Sequence, residues 1–230
     1  QLIEEGADSL EIGGESTRPG ATPLSLTDEM KRVLPVIEQL SKLVNVPLSI
    51  DTYKPEVMRA AIAAGADMVN DVRALQEPGA LQIVATSQVG VCLMHMQGTP
   101  HTMQRDPQYA DVVSEVKAFL SARLTALKAA GIAPQRVLLD PGFGFGKRTV
   151  HNIALLQQLP SIAALGQPLL VGLSRKSVLG KITGGDVYVR LHASLAACVI
   201  SVMKGARIVR VHDVKATADA LKVVAAVEKK

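Results

Sequence analysis

The sequence predicts an α/β fold, a (β/α)8 TIM barrel, from three observations. Short runs of aliphatic and β-branched residues alternate along the chain with segments of helical periodicity. About seven such strand–helix units follow one another without a Gly/Ser-rich linker, so residues 1–230 are predicted to form a single domain. Polar residues stand at the carboxyl end of nearly every predicted strand, whereas an open doubly wound sheet would concentrate them at one switch point.

The beginning of the chain accounts for the strand that the barrel lacks. Gln1 is not an initiator methionine, and residues 2–6 read as the end of a helix that Gly6 closes. The predicted strand–helix units are also one fewer than a closed barrel of this type contains. We therefore expect the domain to be N-terminally incomplete, with its first strand missing from this chain.

The predicted strands are short, aliphatic and β-branched, as expected of strands that are buried on both faces. They lie at residues 9–14, 47–52, 68–72, 89–95, 137–140, 169–174 and 208–214. Because parallel strands end at one face of a barrel, their terminal polar residues are predicted to meet there.

The predicted helices fill the intervals between these strands. One covers residues 28–40 with Thr27 as its N-cap, a second covers 55–64 with Pro55 in the first turn, and a third covers 111–130. Residues 190–204 are apolar on most of a helical circumference, which indicates a helix that is covered on more than one side. A subunit interface and ordinary core burial are both open as that cover.

Composition argues against several classes of function. The net charge is +4, but the basic residues are dispersed, and the chain has no Trp and only 3% aromatic residues. Nucleic acid is therefore not indicated, and an anionic small substrate fits the charge better.

Cys92 and Cys198 lie in apolar stretches, which predicts buried reduced thiols. The longest apolar stretch, around residues 193–203, is too short to span a bilayer, and we expect a soluble, cytoplasmic protein.

The segment 137–147, VLLDPGFGFGK, is the strongest local indication of a site. An apolar strand ends at Asp140, and Gly142, Gly144 and Gly146 then allow the backbone to come close to a small ligand. The segment matches neither the Walker loop nor the dinucleotide-binding pattern. A tight strand-to-helix connection is the alternative interpretation.

Acidic and basic residues are predicted to share one face of the barrel. Asp51 and Asp140 close hydrophobic strands and need donors or a cation, while Lys176, Arg210 and His212 suit phosphate oxygens. A ligand with an N–H-rich flat ring at one end and a phosphate group at the other would satisfy both sets. For each residue taken singly, a purely structural role is an open alternative.

Three further features are predicted from the residues: a helix start, a loop and a histidine. The helix that begins at Ser177 would receive an anion such as a carboxylate at its first amides and at the Ser177 hydroxyl. The loop 14–20 has glycines at both ends and Arg18 near its tip, which indicates a movable segment. His95 lies between Met94 and Met96, so we interpret it as a core histidine and exclude it from the catalytic set.

Seven motifs, taken in order, are similar to those of the bacterial dihydropteroate synthase family. They are IGGESTRPGA, SIDTYKPEVMRAA, VNDVRAL, CLMHMQGTP, LLDPGFGFGK, GLSRKS and RVHDV. The resemblance implies a (β/α)8 barrel, usually a homodimer and a target of sulfonamides. It implies a folate-pathway transferase that joins 6-hydroxymethyl-7,8-dihydropterin diphosphate to p-aminobenzoate, releasing 7,8-dihydropteroate and pyrophosphate.

The resemblance also implies roles for individual residues. Those implied to contact the pterin diphosphate are Thr17, Asp51, Asn70, Met94, Asp140, Phe145, Lys176, Arg210 and His212. Within this set, Arg210 and His212 would hold the diphosphate, and both are implied to be catalytic together with Lys176. The p-aminobenzoate site would be shaped by Thr17, Arg18, Pro19 and Ser177.

The implied chemistry needs no protein nucleophile, because diphosphate leaves a methylene carbon and the aniline nitrogen then attacks it. The resemblance implies Mg²⁺ as cofactor, held by an asparagine on the first strand, so no metal ligand is expected in this chain. Because that asparagine is missing, this chain is expected to be inactive. Two alternatives are a pterin-binding methyltransferase domain, which hands a methyl group to a corrinoid protein, and a non-catalytic partner of another folate enzyme.

Overall fold

The computed structural model describes residues 1–18 and 20–228, in which seven parallel strands form one sheet in chain order. The strands are β1 Leu10–Gly13, β2 Leu48–Asp51, β3 Met68–Asp71, β4 Gly90–Met94, β5 Val137–Asp140, β6 Leu169–Val171 and β7 Ala206–Val209. Every predicted strand is therefore present, and most are one or two residues shorter at their ends than predicted.

Helices connect the strands throughout, which is the βα alternation that the sequence predicts. They are α1 Leu26–Leu43, α2 Pro55–Ala63, α3 Ala80–Ala85, α4 Val112–Ala129, α5 Thr149–Gln157, α6 Leu159–Ala163, α7 Ser177–Thr183, α8 Leu191–Met203 and α9 Val214–Glu228. Single 3-10 turns also occur at Pro134–Arg136 and Val187–Val189.

The sheet curls so that its two edges approach each other. Arg210, directly after β7, forms ion pairs with Glu11 on β1 and with Asp51 at the end of β2. Within the described residues β7 and β1 are not paired as strands, so the seven strands make a curled, incomplete barrel. All seven carboxyl ends face the same rim because all pairings are parallel.

The strand sequences are largely apolar because most strand residues are buried in the core. All four residues of β2 are buried, and Leu93 of β4 and Leu139 of β5 are fully excluded from solvent. Helices cover the outer face of the sheet with one apolar stripe each, as Val33 and Ile37 do in α1. Burying each such aliphatic side chain contributes about 1.5–3 kcal/mol, so this packing holds the rim in place.

Three local expectations are corrected. The N-cap of α1 is Ser25, not Thr27, because the Ser25 hydroxyl accepts a 3.1 Å hydrogen bond from Asp28 N and the helix therefore begins earlier. Residues 2–6 form hydrogen-bonded turns rather than a helix, although Gly6 does end them with a φ of 105°. Strand β7 begins before the predicted Ile208 and ends at Val209, and beyond it His212 N donates to the Ser174 side chain rather than to a strand carbonyl.

Helix α8 is only partly covered within the chain. Ser194, Ala197 and Cys198 are buried, while Ile200 is 42% and Met203 63% exposed.

Cys92 and Cys198 are both free and buried, as predicted. None of the helices that the structure describes has the length and apolar character needed to cross a membrane.

Candidate active site

Two buried carboxylates and two cations meet at the rim. Asp51 closes β2 and Asp140 closes β5, and both residues are only 6% exposed. Asp51 Oδ2 accepts a 3.2 Å hydrogen bond from Arg210 Nη2, and Asp140 Oδ1 accepts one of 2.7 Å from Gly142 N. Burial raises the pKa of both carboxyls, whereas Arg210 beside Asp51 and Lys176 beside Asp140 oppose that rise. The predicted acids and cations therefore do share one site.

Glu11 is a further acid of this site, and it was not predicted from the sequence. Its Oε1 accepts a 2.9 Å hydrogen bond from Asn70 Nδ2, and its other oxygen forms an ion pair with Arg210. Burial and the nearby Asp51 raise the pKa of Glu11 to about 7. The signal was available, because Glu11 alternates with the apolar Leu10 and Ile12 and must face the other side of the strand.

Two buried acceptors at the rim, one on Asp51 and one on Asn70, have no donor in the part of the chain that the structure describes. Asp51 Oδ1 and Asn70 Oδ1 are enclosed and lack a hydrogen-bond partner among the residues that the structure describes. An unpaired buried polar atom costs about 1–3 kcal/mol, so such atoms are rare unless a ligand supplies the partner. The two oxygens are therefore placed to receive N–H donors of a bound molecule.

Lys176 stands at the N-cap of α7 and reaches across the rim. Its Nζ donates to the Phe143 carbonyl and lies 4.7 Å from the centroid of the Phe145 ring. Burial lowers the pKa of Lys176 to about 8, although Asp140 acts in the opposite direction. Phe145 packs in one apolar cluster with Met94, so the two predicted ring-lining residues lie together beside the cation.

The glycine-rich segment after β5 has a backbone that other residues do not readily adopt. Gly142, Gly144 and Gly146 have φ values of 71°, 81° and 60°. A Cβ atom added at Gly142 would lie 1.8 Å from the His95 carbonyl oxygen. The first glycine is thus required by a close approach of two backbone segments, as well as by its φ.

Lys147 holds this segment from inside and was not predicted as a site component. Its buried Nζ donates to the carbonyls of Gly142 at 2.9 Å and Phe145 at 3.0 Å, and lies 2.9 Å from His95 Nδ1. Burial lowers the pKa of Lys147 to about 7, and burial together with Lys147 lowers that of His95 to about 3. His95 is buried and packs edge-on against Phe119, in agreement with its interpretation as a core histidine.

Arg210 and His212 occupy the segment that follows β7. The Ser174 hydroxyl accepts a 3.2 Å hydrogen bond from His212 N and lies 3.0 Å from His212 Nδ1, which orients the imidazole. Burial, Arg175 and Arg210 lower the pKa of His212. Arg175 is held by an ion pair with Asp213 and therefore lies beside the same segment.

The residues predicted for the aminobenzoate site are less tightly gathered. Arg18 is exposed and lies close enough to His212 to contribute to lowering the pKa of that imidazole. Ser177 is exposed as the first residue of α7, and Thr17 is half-buried in the loop after β1. Pro19, the fourth of these residues, lies outside the described residues.

Comparison with known proteins identifies this arrangement. A family model described as pterin binding enzyme matches residues 1–212. A dihydropteroate synthase from Neisseria meningitidis serogroup B is 54% identical over an alignment of 229 residues that covers 97% of this chain and 80% of that protein. The chain belongs to the dihydropteroate synthase family.

Solved structures of dihydropteroate synthases confirm the fold class. The Yersinia pestis enzyme, solved as a sulfonamide drug complex, superposes with a TM-score of 0.96 at 46% identity, covering 98% of this chain and 82% of that one. The Burkholderia cenocepacia enzyme, complexed with 7,8-dihydropteroate, gives a TM-score of 0.92 at 54% identity, covering 98% and 83%. The resemblance drawn from the seven motifs is thereby confirmed.

Proposed function

We propose that this chain is the dihydropteroate synthase of a folate pathway. It joins 6-hydroxymethyl-7,8-dihydropterin diphosphate to p-aminobenzoate and gives 7,8-dihydropteroate and pyrophosphate. The observation that carries this proposal is the pair of buried acceptors without donors, Asp51 Oδ1 and Asn70 Oδ1, beside the cations Lys176 and Arg210. A pterin ring with a diphosphate arm presents N–H donors to the first pair and anionic oxygens to the second.

The acids hold the ring by its amino-pyrimidine edge. That edge carries neighbouring N–H donors, and a carboxylate accepts two of them in the same way as it accepts an arginine fork. Asp51 and Asp140 face the site from two strands, and Asn70 between them both donates and accepts. Met94 and Phe145 supply the apolar walls against which the ring packs.

The cations stabilise the charge that separates during the reaction. The bond between the methylene carbon and the diphosphate oxygen breaks with its electron pair on oxygen, where Arg210 and His212 receive the anion. Arg210 is 47% exposed in this structure, so its guanidinium is accessible from the rim. The aniline nitrogen then forms the new C–N bond and loses a proton, and no protein nucleophile takes part.

The aminobenzoate binds between two loops in this proposal. Thr17, Arg18 and Pro19 belong to the segment after β1, and Ser177 begins α7 on the other side of the rim. The first amides of α7 and the Ser177 hydroxyl receive the carboxylate, which leaves the amine directed toward the methylene carbon.

Mg²⁺ stays a prediction for this chain. In the described part of the chain no group of three or more His, Cys, Asp or Glu side chains is placed to hold a metal ion. Glu11 and Asp51 are also both engaged by Arg210, so these residues do not by themselves form a cation site.

The ionisation of Lys176 predicts a pH dependence. Because burial lowers its pKa to about 8, the ammonium is charged below that pH and neutral above it. We expect kcat/KM for the pterin diphosphate to fall as the pH rises through about 8, since this ratio reports groups of the free enzyme. In the Lys176→Arg variant, kcat/KM should not fall in this pH range. If it falls there as in the wild type, the pH dependence belongs to another group.

Binding and turnover assays test the proposed function against its alternatives. Calorimetry with a pterin and with pyrophosphate should show binding of both to the complete protein, and p-aminobenzoate should then be converted to dihydropteroate. Binding of both without product would favour a non-catalytic partner. Pterin binding without any binding of pyrophosphate or p-aminobenzoate would favour the methyltransferase domain.

We also propose a homodimer that uses α8. Ile200 and Met203 are 42% and 63% exposed on this helix, and Tyr188 in the preceding turn is 91% exposed. An exposed apolar surface of this kind is typical of subunit interfaces. Sedimentation equilibrium should give a dimer mass for the protein and a monomer mass for Met203→Lys, and a monomeric wild type would contradict the proposal.

A further inference from the structure

A buried ionic cluster lies beneath the loop that carries Thr17 and Arg18. Lys54 Nζ forms ion pairs with both Glu15 and Glu29, and the three side chains are 16%, 8% and 1% exposed. Ion pairs on the surface contribute little, but the loss of one member of an enclosed cluster leaves an uncompensated charge. The cluster therefore constrains every segment that contributes to it.

Glu15 connects the two ends of the loop. The residue lies just beyond β1, after Gly14, and its Oε2 accepts a 3.0 Å hydrogen bond from Leu24 N, which lies just before α1. Its Oε1 accepts a 3.0 Å hydrogen bond from the Tyr53 hydroxyl. One carboxylate thus ties the beginning of the loop to its end and to the segment after β2.

The other side of the cluster reaches the ring-binding acids. Thr52 follows Asp51 directly, its Oγ1 donates a 2.7 Å hydrogen bond to Glu29 Oε1, and its N donates one of 3.1 Å to Asn70 O. The cluster is therefore fixed to the strands that carry Asp51 and Asn70. The base of the loop is therefore held relative to the pterin site.

Close packing supports the same conclusion. A Cβ atom added at Gly14 would lie 2.9 Å from Glu29 Cγ and 2.9 Å from Val33 Cγ1, so the start of the loop presses against α1. Burial acts to raise the pKa of Glu15, but hydrogen bonds from Lys54 and Leu24 outweigh it and the pKa is lowered. Glu15 is therefore ionised at neutral pH and attracts Lys54.

We propose that Glu15 is a positioning residue for p-aminobenzoate. Together with Lys54 and Tyr53, which we call the clamp, it fixes the base of the loop after β1. Thr17 and Arg18 are thereby held facing the diphosphate site, where the two substrates meet. The proposal rests on the proposed function, because it assigns the loop to the second substrate. The clamp makes no contact with Asp140, Lys176 or Arg210. Its loss is therefore expected to weaken aminobenzoate binding more than pterin binding.

The Glu15→Gln variant tests the clamp. An amide of the same shape still accepts a hydrogen bond but does not attract Lys54, so the loop base loosens. We expect the KM for p-aminobenzoate to rise about tenfold, as for the loss of one charge-assisted contact, while the calorimetric Kd for pyrophosphate changes less than about twofold. Tyr53→Phe removes one hydrogen bond to Glu15 and should raise the same KM by about threefold.

The control is Asp219→Asn, which removes an exposed acid that pairs with Lys215 on α9. Neither KM should change in that variant. An unchanged KM for p-aminobenzoate, or an equal rise of the KM values for both substrates, would overturn the clamp. If Glu15→Gln does not fold, Tyr53→Phe decides by the same criteria. Failure of the complete wild-type protein to form dihydropteroate would instead refute the proposed function.

Discussion

Replacing Lys176 with alanine should lower kcat/KM for the pterin diphosphate at least about tenfold, because one charge-assisted contact contributes roughly 1.5–3 kcal/mol. Arg210→Ala should have an effect of the same size. Both side chains lie at the rim, where Lys176 reaches toward Asp140 and Arg210 contacts Asp51. Steady-state kinetics measure the loss, and thermal unfolding should show that both variants fold.

Lys181→Ala is the matched control for Lys176→Ala. Lys181 lies on the same helix, α7, but it is exposed and away from the rim, so its removal should leave turnover unchanged. Normal turnover in Lys176→Ala and Arg210→Ala would show that neither cation stabilises the leaving group. A loss in the Lys181 variant as well would attribute the effect to the helix rather than to the ammonium.

The Gly142→Ala substitution should lower the free energy of unfolding by at least about 3 kcal/mol. A side chain at a φ of 71° costs about 1–3 kcal/mol, and the added Cβ would also lie 1.8 Å from the His95 carbonyl oxygen. The two backbones must therefore move apart. Because Gly142 N donates to Asp140 Oδ1, the movement should also weaken pterin binding. Urea denaturation and pterin calorimetry measure the two effects.

Gly131→Ala separates backbone strain from the steric clash. Gly131 has a φ of 78°, close to that of Gly142, but a Cβ atom added there would meet nothing within 4 Å. This variant should lose only the strain contribution, about 1–2 kcal/mol, and should bind pterin normally. Equal destabilisation in the two variants would mean that the contact between Gly142 and His95 has no energetic role.

The strands were predictable because burial on both faces leaves a plain signal in the sequence. Each strand from β1 to β7 coincides with an aliphatic run, and the βα alternation then allows very few topologies. The ends were harder to predict. At the start of α1, Ser25 and Thr27 are both residue types that cap helices, and only the position of the Asp28 amide in the folded chain selects Ser25.

The site was predictable where a residue closes a strand and less so where its partners are distant. Asp51 and Asp140 stand at strand ends, which the sequence marks directly. Glu11 and Lys147 were missed because their importance comes from partners 59 and 52 residues away, Asn70 and His95. No local pattern contains those pairings, although a charge inside the apolar strand β1 was an indication for Glu11.

The central claim is that the acids that bind the pterin ring and the cations that bind the leaving diphosphate lie at the same rim of the barrel. A crystal structure with an unreactive pterin diphosphate analogue tests this claim most directly. We expect the ring within hydrogen-bond distance of Asp51, Asn70 and Asp140, with the phosphate groups on Arg210 and His212. A ring that contacts none of the three, or a diphosphate bound away from the cations at the carboxyl ends of the strands, would contradict the account.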